Sequence, residues 1–177
     1  QVEIRSDNEQ AARVAAERLA KAGHKAVTFV GAPKGDQPQF GERYRGFVTA
    51  AEALGLRHDC TVPPAREDRA AQGRAAVEEL LASGKTVDAL FFACDALALG
   101  GLDALAAAGR DVPGDIGVIG SDGVDGGAHS NPPLTTIEPD FAEAARLLVE
   151  RSLADGASPG MMARVPVVLV ERASVAK

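Results

Sequence analysis

Asp122 closes the stretch Val112-Pro113-Gly114-Asp115-Ile116-Gly117-Val118-Ile119-Gly120-Ser121-Asp122, in which a proline–glycine turn feeds an apolar run over 116–119 that stops in glycine. Such a run reads as a buried strand, with the acidic side chain delivered just past its carboxyl end. In open α/β sheets that edge is where small ligands bind. A carboxylate suits the task because it offers several lone pairs to hydroxyl or N–H donors. Other chemistry is poorly served. Ser121 precedes Asp122, but no histidine stands in a recognisable nucleophile context, so a hydrolase triad has little support. His58 and His129 have no partner at metal-ligand spacing, and Cys60 and Cys94 match no metal pattern. Residues 120–127 hold no GxGxxG or Walker sequence to cradle a nucleotide phosphate. The expectation is ligand capture without metal, cofactor or catalysis. Asp95, and Asp7 or Asn8, stand before helical runs and read first as N-caps. His24, next to Gly23 at a helix end, reads as a cation suited to the helix dipole.

The composition agrees with a binding module. At 177 residues the chain is long enough for a real core. Aromatic residues are only 4% against 46% hydrophobic overall, so alanine, leucine and valine are expected to do the packing. The net charge of −6 argues against a nucleic-acid surface in this segment, because phosphate contacts need clustered Lys and Arg. No apolar run approaches membrane-span length and no leader opens the chain, so a cytoplasmic protein with reduced thiols is expected.

The elements that must position these residues alternate regularly. Strands are expected over 2–5, 26–30, 89–93 and 116–119, more weakly at 60–62, as a short extended piece at 135–137, and finally over 165–170. Helices are expected from Asp7 or Asn8 to Ala22, and over 42–54, 68–82, 95–108 and 141–153. Gly23, Gly55, Gly84 and Gly109 read as helix stops. Residues 31–41 read as loop, and the loops over 33–40 and 63–68 as rims of a cleft. Four buried strands separated by helices imply parallel pairing with right-handed crossovers, hence an α/β fold with a doubly wound parallel sheet.

Several short signatures, in order, resemble lactose-repressor-type transcription regulators, the LacI/GalR family. They are Asp7-Asn8 with Leu19 to Lys25, Glu42-Arg43-Tyr44-Arg45-Gly46-Phe47, Phe92-Ala93-Cys94-Asp95-Ala96-Leu97-Ala98-Leu99-Gly100, the Val112–Asp122 stretch, and Pro132-Pro133-Leu134-Thr135-Thr136-Ile137. The resemblance implies the C-terminal effector-sensing domain of such a regulator, built like a type I periplasmic binding protein. One doubly wound lobe would be complete and the second present in fragments. It assigns 1–24 to a remnant of the N-terminal lobe, 25–139 to the C-terminal lobe, 140–163 to a helix returning to the first lobe, and 164–177 to a final strand of the second.

By the same resemblance Asp122 meets ligand hydroxyls, Arg43 is the arginine of the cleft, and Asp7 reaches in from the first lobe. Asp95 holds a helix start toward the cleft, and Arg45 has a weaker claim. Cys94 stands where the family most often has asparagine, and so is either an adapted ligand contact or a small buried residue; Pro139 departs from a common glutamine. Arg43 could equally pair with Glu42 or Asp36 at the surface. The implied effector is a sugar or related metabolite, the implied partner a second copy of the chain, and DNA is reached only through a helix-turn-helix head that this sequence does not contain. The chain thus reads as a fragment with half a cleft, so that weak ligand binding is expected of it alone. A solute-binding protein of an ABC sugar transporter is the alternative, and an enzyme on a doubly wound sheet the more distant rival.

Overall fold

The computed structural model describes residues 3–153 and 162–176. In chain order these form β1 (Glu3–Ser6), α1 (Asn8–Lys21), β2 (Ala26–Val30), α2 (Pro38–Ala53), β3 (Arg57–Thr61), α3 (Arg69–Ala82), β4 (Ala89–Phe92), α4 (Asp95–Ala107), β5 (Gly117–Ser121), a 3-10 turn (Asp125–Ala128), β6 (Thr135–Pro139), α5 (Phe141–Leu153), β7 (Met162–Val165) and β8 (Val167–Val170). Continuous apolar runs account for β2, β4 and β5, which are buried over nearly their whole length. The four glycines read as helix stops all take left-handed φ, between 68° and 95°, where side chains are disfavoured.

Six strands form one sheet in the order β3-β2-β4-β5-β6-β8. All neighbours pair in parallel except β6 with β8. The chain steps from β2 outward to β3 and then back across β2 to β4. Right-handed crossovers therefore set α2 on one face of the sheet and α3 and α4 on the other. The reversal leaves a crevice beyond the carboxyl ends of β2 and β4. A separate two-stranded parallel piece joins β1 to β7.

Four expectations need correction. Helix α1 does not stand with the neighbouring lobe. Its buried face (Ala11, Ala12, Ala15, Ala16 and Leu19) packs on α2 and toward β4, β5, β6 and β8, so only the β1 end of residues 1–24 pairs with the small sheet. Helix α2 starts four residues earlier than expected, because Pro38 occupies its first turn, where a missing N–H costs nothing. The run over 165–170 is two strands: Pro166 breaks the ladder, β7 pairs with β1, and β8 crosses to the main sheet. Finally, alanine and leucine do not fill the core alone. Phe29, Phe47 and Phe91 are fully buried and meet with ring centroids 5.4 to 5.9 Å apart, so few aromatics still dominate the α2 side. Gln1 and Val2, at the start of the first expected strand, lie outside the described residues.

Candidate ligand-binding site

Arg43 projects from the early turns of α2 into the crevice and is only 6% exposed. A buried guanidinium must spend its donors on acceptors, and this one does so three ways. Its Nε donates to Asn8 Oδ1 at 3.0 Å. One terminal nitrogen donates to the carbonyl of Ala93, just past β4. The other donates to Asp122 Oδ1 at 2.8 Å. Asn8 in turn donates from Nδ2 to Glu42 Oε2 at 2.7 Å. Two residues separated by 79 positions are thus brought together at the strand ends, and neither Glu42 nor Asp36 is the partner of Arg43.

Around this pair lies a cavity of about 390 Å³. Arg5 and Ser6 line it from the end of β1, Pro38, Gln39, Glu42 and Arg43 from α2, and Asn8 and Asp122 complete it. Its walls therefore come from both sheets. Asp122 leaves 42% of its side chain exposed, and no bond to its Oδ2 is formed among the described residues. Burial pushes its carboxyl above the usual range, and the attraction of Arg43 opposes that rise. The result is one carboxylate oxygen anchored and one facing the cavity.

The other predicted residues take different places. Cys94 is 6% exposed, does not line the cavity, and its thiol is pushed up by burial. Asp95 is not the N-cap of α4. Cys94 holds that position without a side-chain bond, and Asp95 is the first helical residue. Its carboxylate instead turns inward, because a hydroxyl donor of β6 and a main-chain donor of the turn after β5 lie within reach. Asp7 caps α1, accepting from the Gln10 N–H at 2.9 Å, and faces a second groove that also holds Arg45. Of the two expected rim loops, the first supplies Pro38 and Gln39 to the cavity and the second supplies nothing to its lining. His24 does more than close a helix: its Nδ1 pairs with Asp88 Oδ1 at 2.7 Å, tying α1 to the start of β4. No group able to hold a metal ion occurs among the described residues.

Arg5, Ser6, Asn8, Pro38, Gln39 and Glu42 line the cavity without being marked as ligand contacts by the sequence. Asn8 and Glu42 lie inside the short signatures, one position from Asp7 and from Arg43, so the signal was adjacent to what was read. Gln39 falls within 31–41, which reads as loop in sequence, but lies in the first turn of α2. Among the described residues no helix is long and apolar enough to cross a membrane.

Comparison with known proteins gives this geometry its context. The family described as periplasmic binding protein-like domain matches residues 16–175. The transcriptional regulator CelR of Thermobifida fusca is 34% identical over 157 residues, 86% of this chain and 46% of its own length. The chain thus spans about half the length of the curated relatives it matches. A LacI-type transcription regulator from Bifidobacterium animalis subsp. lactis superposes with a TM-score of 0.83 at 27% identity, covering 99% of this chain and 68% of the other. A CelR–cellobiose complex superposes with a TM-score of 0.82 at 32% identity, covering 98% and 54%. These relatives are transcription regulators. A doubly wound sheet, a polar cavity at its strand ends and relatives of this kind lead to one assignment: the chain belongs to the periplasmic binding protein-like domain family, in the form that lactose-repressor-type regulators carry as their effector-binding part.

Proposed function

We propose that this chain senses a small sugar on behalf of a cytoplasmic transcription regulator, with Asp122 and Arg43 at the centre of the site. The observation that carries the reading is the Arg43–Asp122 pair at the crevice, 2.8 Å apart, which leaves the second Asp122 oxygen toward a polar cavity. Adjacent hydroxyls of a sugar offer both donors and acceptors. The free carboxylate oxygen accepts from one, and the Gln39 amide and the Glu42 carboxylate stand nearby for others. Closing walls from two sheets around such a ligand would change how the lobes sit, and in a homodimer that alters the spacing of DNA-binding heads lying outside this chain. Such a shift requires different ligand affinity in the two arrangements, not tight binding alone. Transcription regulators among the relatives favour this role over solute capture for a transporter.

Cellobiose is the first probe, since a structural relative is a cellobiose complex. Calorimetric titration of the chain is expected to give weak binding, with Kd on the order of 1 mM, and Asp122→Asn is expected to weaken it at least about ten-fold. Binding that is indifferent to Asp122→Asn would overturn the assignment of the site. Absence of heat with cellobiose and with other mono- and disaccharides would overturn the sugar.

A further inference from the structure

We propose that Asp95 is a positioning residue: its buried carboxylate holds the turn after β5 so that Asp122 faces Arg43 and the cavity. The proposal rests on the reading that Asp122 meets the ligand.

Asp95 is 0% exposed and lines no part of the cavity, so it cannot touch a ligand there. Its Oδ1 accepts from the Thr136 hydroxyl at 2.6 Å, which fixes the carboxylate plane against β6. Its Oδ2 accepts from the Val124 N–H at 2.9 Å, two residues beyond Asp122. The neighbouring Gly123 main chain also favours the charged form of this carboxylate. On the other side the Asp122 N–H donates to the Ile137 carbonyl at 2.8 Å. The turn is therefore gripped on both flanks of the residue it presents.

That grip has something to hold. Asp122 sits at φ +108°, and among the described residues it is the non-glycine position with positive φ. Such a conformation is strained and persists only where neighbours over-determine it. The space for the clamp is also built in. A Cβ on Gly120 would lie 2.1 Å from Asp95 Oδ1, so a side chain there would expel the carboxylate. Filling a core position with a carboxylate costs desolvation that an apolar residue would avoid. Burial accordingly pushes this carboxyl up to about 6, against the pull of its Thr136 and main-chain donors and with the repulsion of Asp122. Space-filling does not account for the choice; the bonds to the turn do.

The test is amide hydrogen exchange by NMR on the sugar-free chain, comparing wild type with Asp95→Asn, Thr136→Val and Thr136→Ser. Asparagine keeps an acceptor for Thr136 but turns an N–H₂ toward the Val124 N–H. Asp95→Asn is expected to speed exchange of Gly123 and Val124 about ten-fold or more, leaving Leu97 and Ala98 in α4 and Val118 and Ile119 in β5 unchanged. Thr136→Val is expected to act in the same direction and Thr136→Ser to restore protection. The Thr136 pair answers the question even if Asp95→Asn does not fold. Unchanged exchange at Gly123 and Val124 in these variants would overturn the proposal, as would equal acceleration throughout α4 and β5, the signature of a general core role. No sugar enters the measurement. A failure of cellobiose to bind would therefore count against the sugar reading, and a failure of this exchange pattern against Asp95.

Discussion

The two ends of the same sheet hold the same ingredients and use them differently. At the amino end of β4, Asp88 spends both oxygens: Oδ1 pairs with His24, and Oδ2 accepts from the N–H groups of Lys25 and Ala26 at 2.6 and 3.1 Å. Burial raises its carboxyl, but these bonds outweigh burial and hold it below the usual range. At the carboxyl end, Asp122 has one oxygen on Arg43, and burial wins, leaving its carboxyl above the usual range. A carboxylate whose acceptors are all satisfied within the chain is a structural tie. One held by a single partner, strained and facing a cavity, has capacity left for a ligand. The difference lies in how many lone pairs the fold has already used.

The largest way to break this contrast is to remove Arg43. Arg43→Met leaves Asn8, the Ala93 carbonyl and Asp122 without their shared donor, and a loss on the order of 3 kcal/mol is expected in urea unfolding. A loss below about 1 kcal/mol would mean that the pair is loosely held.

Asp95 sharpens the comparison through pH. Burial pushes its carboxyl up to about 6 in the folded chain, above the ordinary aspartate value of 3.8. Between those values the folded chain binds more protons than the unfolded one. Stability from this group therefore falls as pH rises from about 4 to about 6 and is level above that. The stability difference between wild type and Asp95→Asn should shrink on the order of 2 kcal/mol between pH 4 and pH 7. A constant difference would contradict the raised value.

Asp88 runs the other way. Asp88→Ala is expected to cost about 1 to 2 kcal/mol at pH 7. Because its folded carboxyl titrates below the unfolded one, that contribution is present above pH 4 and fades as pH falls further. The smallest effect belongs to Asp7: Asp7→Ala removes a helix cap worth about 1 kcal/mol and is expected to leave sugar affinity unchanged, since Asp7 does not line the cavity.

Much of this was legible in residue order, and the exceptions share a cause. Continuous apolar runs placed β2, β4 and β5, and glycine stops placed the helix ends, because both are decided locally. Asp122 and Arg43 were readable because strand ends and short signatures mark them. The role of Asp95 is not legible, because the first turn of a helix does not say what lies opposite. Gly120 and Thr136, which admit and orient its carboxylate, come from strands 25 and 41 positions away. Residues 165–170 read as one strand because valines flank Pro166 on both sides, while the two halves pair with different sheets. Nor did α1 reveal which sheet it packs on, since an alanine face fits either.

The most direct test of the account is a ¹⁵N NMR titration with cellobiose and other mono- and disaccharides, read at both ends of the sheet. The account predicts shifts at residues 93–95 and 120–124, none at 24–26 or 88, and loss of the pattern in Asp122→Ala. Shifts at the His24–Asp88 end, or an unaltered pattern in Asp122→Ala, would contradict it.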